Sequence, residues 1–289
     1  MLIDRRRFGT LLASGLAGLA LVPGRAHAGT RAVLEAELAA RPCGEHAAAL
    51  RGTLARMAAI RPPLAGRAIV VDIPSQHLAA YEDGRVVLES RVVVGDASWR
   101  TPDLETRVTF VRLNPTWTVP ESIVAARNWR SKLARRPGWF EGRNFDVEVD
   151  GRLLDPVAAA AGAERARRFV QRPGPGNALG RVKFGLAAGG SVYLHDTSDP
   201  EGFDEDARAL SHGCVRVEEA MRLAAWTLGL PLAQARDLLM ADDRHDRRPP
   251  LPVRVATTYC TAWPDASGTV RYYPDVYGRD GAAACRGGA

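Results

Sequence analysis

The spacing of apolar residues changes along the chain from a helical period to an alternating one. Residues 32–60 are rich in alanine and place Leu50, Leu54 and Met57 on one helical face, which predicts a helical N-terminal segment packed on the main domain. After Pro63, short runs of β-branched and aromatic residues alternate with polar ones, which is typical of strands. The predicted strands are 69–73, 77–81, 85–94, 105–113, 181–186, 191–195, 252–259 and 270–273, with a hairpin turn at Asp83-Gly84.

The alternating pattern is interrupted between residues 119 and 172. This stretch predicts helices at 121–136 and 157–168 and a small hairpin with strands 145–149 and 152–154. The charged run Arg244-His245-Asp246-Arg247-Arg248 predicts a solvated linker, and the last strands are expected to complete the sheet. The predicted fold class is therefore mixed α/β and rich in β, with an inserted helical and hairpin piece.

The first 28 residues are organised as an export signal. Arg5, Arg6 and Arg7 precede an apolar stretch, and a small-x-small cleavage site ends at Ala28. The paired arginines followed by x-Phe resemble a twin-arginine signal, and an uncleaved anchor is the alternative. This segment contributes +3 of the formal net charge of +6, so the charge gives no support to a nucleic-acid partner. We expect a periplasmic or wall-associated protein with no stable membrane anchor after cleavage.

Four cysteines are distributed unevenly along the chain. Cys214 lies in the run Ser211-His212-Gly213-Cys214-Val215-Arg216, whereas Cys43, Cys260 and Cys285 lie near the chain ends. In an exported protein these three can form at most one disulfide. A Cys260–Cys285 bridge that closes a C-terminal loop is preferred over one from Cys43, and three reduced thiols are the alternative.

The candidate chemistry lies at His195 and Cys214. A cysteine attacks a carbonyl as its thiolate, which needs a nearby base or positive electrostatics. Apolar residues at helical spacing predict a helix that starts near Val217, just after the cysteine. His195 ends a predicted strand, and the loop 196–210 returns the chain to Cys214. Gly213 permits a sharp turn whose backbone amides are placed to hold an oxyanion.

His195, fifteen further residues and then the run from Ser211 to Arg216 closely resemble the signature of the YkuD-type L,D-transpeptidases, which crosslink peptidoglycan. The similarity extends over residues 67–280, and it resembles the subgroup in which a large lid covers the active site. The runs that carry it are 92–95, 101–102, 114–120, 172–180 and 193–196. One common form of the signature has Asn at the position of Arg216. This difference affects the details of substrate recognition and not the class of enzyme.

The resemblance implies a domain organisation for the whole chain. An export signal at 1–28 and a helical segment at 29–66 precede a YkuD-like β-sandwich catalytic domain at 67–280. A capping insertion at about 119–172 interrupts this domain and acts as a lid that limits hydrolysis.

The resemblance also implies a mechanism without metal or cofactor. Cys214 attacks the carbonyl of the L-centre of a diamino acid in a donor tetrapeptide stem, and His195 acts as base and then acid. The amide of Gly213 helps to hold the oxyanion, and an amine of a neighbouring stem converts the thioester to a 3→3 crosslink. Carbapenem-type inhibitors are expected to acylate the same thiol. The implied substrate-binding residues are Arg216, for a stem carboxylate, with Tyr193, Trp117, Ser211, His212 and Asn177.

Simpler roles and other activities stay open for the same residues. Trp117 and Tyr193 could be core aromatics, Arg216 could brace its loop, and Ser211 and His212 could shape the turn. Water in place of the amine would give an L,D-carboxypeptidase or a crosslink hydrolase, and an idle wall-binding protein would keep the fold. A papain-like protease is disfavoured because the cysteine follows the histidine, and a zinc site because His-x-Cys is not a common ligand spacing.

Overall fold

The computed structural model describes residues 25–57, 65–188, 190, 192–242 and 244–281. The strands are β1 Arg67–Asp72, β2 His77–Glu82, β3 Arg85–Gly95, β4 Glu105–Leu113, β5 Trp117–Thr118, β6 Phe145–Val149, β7 Arg152–Leu154, β8 Ala166–Gln171, β9 Val182–Leu186, β10 Leu194–His195, β11 Ala209–Ser211, β12 Val215–Val217, β13 Val253–Thr258, β14 Ala262–Pro264 and β15 Val270–Tyr272. The helices are α1 Arg25–Ala40, α2 Glu45–Met57, α3 Glu121–Ala126, α4 Trp129–Arg135, α5 Pro137–Glu141, α6 Pro156–Ala159, α7 Ala220–Leu228 and α8 Leu232–Met240. Short 3₁₀ helices cover Ala160–Arg165 and Pro200–Phe203.

The main sheet closes on itself. Its strand order is β11-β3-β12-β10-β9-β4-β13-β1-β2, and β2 also pairs with β3. The long strands β3 and β4 each take part in both layers, so the result is the predicted β-sandwich in a mixed α/β fold. The interior is filled by alternate residues of these strands, such as Val71, Leu78, Val111, Phe184 and Val215, all fully buried. The predicted turn at Asp83-Gly84 is confirmed, with φ of +46° and +77° that suit a type I′ hairpin.

The N-terminal segment packs on the main domain, as predicted, but as two helices. Leu50 and Met57 of α2 are buried together with Leu34 of α1 against Cys260 and Trp263. Residues 1–24 and the side chains of 25–28 lie outside the described residues, so the export signal stays a prediction; its expected cleavage position falls within α1. Within the described residues, no helix has the length and apolar character needed to cross a bilayer.

The expected insertion forms a compact unit with its own core, here called the inserted subdomain (residues 117–171). A four-stranded sheet, β5-β8-β6-β7, packs against α3 to α6. The predicted hairpin is confirmed, with Asp150 and Gly151 at φ +49° and +78°. The single helix predicted over 121–136 is interrupted at Asn128, whose φ of +50° separates α3 from α4.

Three predictions are wrong, one in the type of element, one in where a helix starts and one in where a strand pairs. The helix predicted over 157–168 contains only α6 and a 3₁₀ turn before β8, because pairing of β8 with β5 and β6 buries Phe169 and overrides the helix propensity of alanine. The helix expected near Val217 starts at Ala220; residues 215–217 form a strand that buries Val215 and Val217 in the sandwich. The last strand, β15, pairs with β14 in a separate hairpin instead of completing the main sheet.

The predicted linker at 244–248 is attached to the sandwich. Arg247 forms a β-bridge with Val111, and both carboxylate oxygens of Asp246 accept hydrogen bonds from Arg112, at 2.6 and 2.7 Å. The run is therefore largely exposed, as predicted, but it is also hydrogen-bonded to β4.

The preferred disulfide is wrong. Cys260 is a fully buried thiol outside any disulfide, and its backbone amide donates to the buried Asp72 carboxylate at 2.9 Å. Cys43 is disulfide-bonded, so the alternative with three reduced thiols is also wrong. Cys285 lies outside the described residues.

Candidate active site

Three neighbouring strands bring the candidate catalytic residues to one face of the sandwich. β10 lies between β12 and β9, with His195 opposite Arg216 on one side and Lys183 on the other. Leu194 and its cross-strand partners point into the core, so the side chains of the His195 row point the opposite way. Cys214 comes directly before β12, next to Tyr193 of the adjoining row. The sequence-based pairing of Cys214 with His195 is thus compatible with the sheet register.

The turn that carries Cys214 is held by hydroxyl groups. Ser211 Oγ donates to the Cys214 carbonyl at 2.5 Å and accepts from the Gly213 amide at 3.1 Å. Thr101 Oγ1 donates to the Gly213 carbonyl at 3.0 Å. Gly213 has a φ of +102°, which side-chain-bearing residues rarely adopt. The turn therefore has a defined shape, and in it the Gly213 amide, a predicted oxyanion donor, is already hydrogen-bonded to Ser211.

His195 is oriented by the backbone. Its Nδ1 lies 2.5 Å from the Asp196 carbonyl oxygen. Because a carbonyl only accepts, Nδ1 carries the proton and Nε2 is left as the basic nitrogen. The pKa of His195 is lowered to about 3, mainly by burial; the charges of Arg216 and Lys183 also lower it, and the Asp196 hydrogen bond acts in the opposite direction. The imidazole is neutral at physiological pH and can act as a base.

Cys214 is held as a neutral thiol in the resting site. Burial raises the pKa of Cys214 above its ordinary value, while hydrogen bonds from the Tyr193 amide and hydroxyl and the charges of Lys183 and Arg216 act in the opposite direction. The helix N-terminus expected beside the thiol is absent there, since a strand follows Cys214. Activation of the thiol consequently depends on transfer of its proton to a base, for which His195 is the neighbouring candidate.

Aromatic residues connect this face to the inserted subdomain. The Tyr193 ring lies 5.7 Å from the His195 ring, and its hydroxyl hydrogen-bonds the Cys214 thiol and accepts from the Trp117 indole. Trp117 also packs edge-on against Trp129 in the core of the subdomain. Trp117 is thus a core aromatic of the subdomain whose polar edge reaches the site, and Tyr193 is placed directly beside the thiol.

The other candidate substrate-binding residues are engaged with protein groups. Arg216 donates to Asp199 at 3.2 Å. His212 lies 3.5 Å from a guanidinium nitrogen of Arg127 in the inserted subdomain, and burial lowers the pKa of His212.

The buried side chain of Asn177 is hydrogen-bonded to the surrounding backbone. Its side chain is 1% exposed. It donates to three backbone carbonyls and accepts from the Leu179 amide at 2.8 Å. All of its polar atoms are therefore used within the protein.

Sequence reasoning missed Thr101, Tyr277 and Lys183. The Tyr277 hydroxyl accepts from the Thr101 amide at 3.0 Å and donates to the Gly95 carbonyl at 2.8 Å, which links the C-terminal segment to the catalytic turn. No local pattern reveals that link, because the partners are 176 and 182 residues apart. Lys183 could have been found from the alternation of β9, which places it on the outward side between two buried residues.

In the part of the chain that the structure describes, no group of three or more His, Cys, Asp or Glu side chains is arranged to hold a metal ion. His195, Asp196, His212 and Cys214, the residues around the His-x-Cys spacing, are therefore not arranged as zinc ligands.

Comparison with known proteins decides the family. The sequence model described as "L,D-transpeptidase catalytic domain", YkuD, matches residues 66–277, from β1 to Tyr277. The chain belongs to the YkuD family. A curated relative from Haemophilus influenzae, named "Putative L,D-transpeptidase", is 33% identical over 227 residues, which cover 73% of this chain and 44% of the relative. The chain thus spans less than half the length of that YkuD relative.

Solved L,D-transpeptidase structures are more distant. An L,D-transpeptidase from Mycobacterium smegmatis is 15% identical with a TM-score of 0.31, covering 66% of this chain and 58% of that one. The catalytic domain of the Enterococcus faecium L,D-transpeptidase, acylated by ertapenem, is 14% identical with a TM-score of 0.32, covering 67% and 98%. Similarity at this level carries no weight, so membership of the YkuD family rests on the family match and the curated relative.

Proposed function

We propose that the protein is a peptidoglycan L,D-transpeptidase that forms 3→3 crosslinks through a thioester on Cys214. The observation that supports this most is the placement of a backbone-oriented, neutral His195 and the Cys214 thiol on one face of adjacent strands in a YkuD-family chain. Such a pair supplies a nucleophile and a base in one site.

In the proposed reaction His195 Nε2 takes the thiol proton as Cys214 sulfur attacks the carbonyl of the L-centre of the donor diamino acid. Backbone amides of the catalytic turn stabilise the oxyanion; the Gly213 amide contributes once it has exchanged its bond to Ser211. The C–N bond then breaks, and His195 returns the proton to the leaving D-alanine amine. An acceptor amine attacks the thioester carbonyl and loses a proton to His195, the C–S bond breaks, and His195 returns that proton to the departing Cys214 sulfur.

The inserted subdomain is proposed to act as a lid over the peptide. Trp117 reaches Tyr193, and Arg127 reaches His212, so the subdomain contacts both sides of the catalytic turn. A cover at this position would exclude water from the thioester and favour the acceptor amine. The proposed location is outside the cytoplasm, as the export-type N-terminus suggests.

Product analysis tests the proposal. The purified protein is incubated with a disaccharide tetrapeptide donor, and the products are separated and weighed by mass spectrometry, with Cys214→Ala as the control. We expect a 3→3 crosslinked dimer and released D-alanine, both absent with the variant. Release of D-alanine with tripeptide alone would instead identify a carboxypeptidase, and no release would contradict the enzyme assignment.

A further inference from the structure

Lys183 occupies a position beside the catalytic pair that the proposed mechanism does not use. It lies on β9 directly opposite His195, on the same outward face. Its ammonium nitrogen is 4.1 Å from the centre of the Tyr193 ring, whose hydroxyl contacts the Cys214 thiol. The cation is therefore next to both the base and the nucleophile.

Lys183 differs from the neighbouring cations in having no carboxylate partner among the described residues. Arg112, on the next strand, is paired with Asp246 at 2.6 and 2.7 Å, and Arg216 is paired with Asp199 at 3.2 Å. Burial and the charge of Arg112 lower the pKa of Lys183. A half-buried ammonium that stacks on an aromatic ring and has no ion-paired carboxylate gains free energy when an anion binds beside it.

The strand order indicates which part of the substrate would lie beside Lys183. Across the face, Cys214 precedes β12, His195 is on β10 and Lys183 is on β9. The scissile carbonyl must lie at Cys214 and the leaving amine within reach of His195, so the rest of the leaving residue points toward Lys183. In a tetrapeptide donor that residue ends in a carboxylate one carbon beyond the amine.

We propose that Lys183 binds the terminal carboxylate of the leaving residue and thereby selects donor stems that end directly after the scissile bond. This inference rests on the proposed function, whose acyl step it specifies. The proposal predicts that the site accepts peptides whose leaving residue ends in a free carboxylate. Peptides in which this carboxylate is amidated or extended are expected to react more slowly.

The anion site is tested with two alkylating reagents, one negatively charged and one neutral. Iodoacetate is an anion and iodoacetamide is neutral, and both react with the same Cys214 thiolate. We expect Lys183→Met to lower the ratio of the iodoacetate rate to the iodoacetamide rate at Cys214 by about tenfold, the worth of one charged hydrogen bond. Lys183→Arg keeps the ratio high. If Lys183 only stabilised the thiolate, both rates would fall together, and an unchanged ratio overturns the anion site.

The carboxylate assignment is tested with donor peptides that end in D-alanine or in D-alanine amide. The native protein is expected to favour the acid over the amide in kcat/KM by about tenfold or more, and Lys183→Met is expected to treat them nearly alike. Equal losses on both peptides in the variant would overturn the assignment. If the native protein uses neither peptide, the proposed function fails, whereas the alkylation ratio still decides whether the anion site exists.

A matched control separates a local charge effect from a general one. Lys132 also stacks on an aromatic ring, with its nitrogen 3.4 Å from the centre of Trp139, but lies in the inserted subdomain. Lys132→Met should leave the alkylation ratio and the acid preference unchanged. Thermal unfolding of each variant verifies that it is folded, and Lys183→Arg provides a charged variant if Lys183→Met is unstable.

Discussion

His195 is buried and Cys214 is half-buried, and desolvation acts on their pKa values in opposite directions. It lowers the pKa of the imidazole and raises that of the thiol, so each is neutral before substrate arrives. Nearby cations and the Tyr193 hydrogen bonds favour the thiolate, which makes its formation less costly when a base takes the proton. The Cys214 thiol is therefore protonated before substrate binds, and it loses its proton as it attacks.

The buried imidazole makes stability depend on pH. The folded protein binds a proton at His195 only near pH 3, whereas the unfolded chain binds it near pH 6.5. The contribution of His195 to stability is therefore fully present above pH 6.5 and is lost as the pH falls toward 3. We expect the free energy of unfolding of native protein minus that of His195→Gln to fall by about 1.4 kcal/mol per pH unit over this range. Urea unfolding at several pH values measures it, and a pH-independent difference would contradict the account.

Thr101 tests how the catalytic turn is held. Thr101→Val keeps the shape of the side chain but removes the donor to the Gly213 carbonyl and the acceptor for the Gly95 amide. We expect a loss of about 1–3 kcal/mol in stability, because buried polar groups lose partners, and slower alkylation of Cys214. Thr101→Ser should retain both properties. A Thr101→Val protein with native alkylation kinetics would show that the turn does not need this bond.

At the scale of single residues, the sequence identified the reactive groups but not the residues that hold the catalytic turn in place. Cys214, His195 and Gly213 belong to a recognisable signature, while the Thr101 hydroxyl reaches the turn from a distant segment and the Tyr277 hydroxyl supports Thr101 through its backbone amide. The predicted role of a helix N-terminus was wrong because Val215 and Val217 alternate with an outward Arg216 and belong to a strand. Contacts between distant segments leave no local pattern to find.

At the scale of elements, the inserted subdomain is organised around Trp129. This indole contacts the rings of Trp117, Trp139, Phe140, Phe145 and Phe169, at centroid distances of 5.3 to 6.3 Å. Its hydrophobic cluster is separate from that of the sandwich. The subdomain can therefore lose its packing without the sandwich unfolding.

Trp129→Ala is expected to cost about 3–5 kcal/mol by opening a cavity in this cluster. Amide hydrogen exchange should then speed up within residues 117–171 while β1 and β13 keep their protection. Leu153→Ala, at a side chain in the same subdomain that is 57% exposed, is the matched control with no expected change. Loss of protection throughout the sandwich would contradict an independent subdomain.

Elements with alternating patterns or short turn signals were predicted well from sequence. Alanine-rich stretches gave mixed results, since the N-terminal stretch is helical as predicted but 157–168 is not a single helix. β4 was predicted residue for residue, and the turns at 83–84 and 150–151 were found from their Asp-Gly pairs. The stretch 157–168 misled because alanine favours helix, whereas strand pairing in β8 decides its conformation. Strand pairing overrides the intrinsic helix propensity of a segment that completes a sheet.

At the scale of the molecule, the second N-terminal helix is hydrogen-bonded to the C-terminal segment. Arg56 of α2 donates to the carbonyls of Tyr259 and Arg279, at 2.7 and 3.1 Å, and to the Asp280 carboxylate at 2.5 Å. The Asp280 side chain is only 7% exposed. The N-terminal helices thus hold the C-terminal segment that carries Tyr277 to the catalytic turn.

Arg56→Met is expected to lower the free energy of unfolding by roughly 3 kcal/mol, because it leaves a largely buried carboxylate unpaired. Arg31→Met is the control, since its partner Glu35 and Arg31 itself are both 52% exposed and such a pair contributes at most about 1 kcal/mol. Urea unfolding measures both. Equal effects of the two substitutions would contradict a supporting role for Arg56.

The central claim is that Cys214 forms an acyl-enzyme, and intact-mass measurement after exposure to a carbapenem tests it most directly. We predict a mass gain of one drug molecule per chain on the native protein. The gain should be lost in Cys214→Ala and kept in Cys260→Ala, which removes the buried thiol outside the site. Folded, reduced protein that gains no mass would contradict the account and favour a wall-binding role for the same fold.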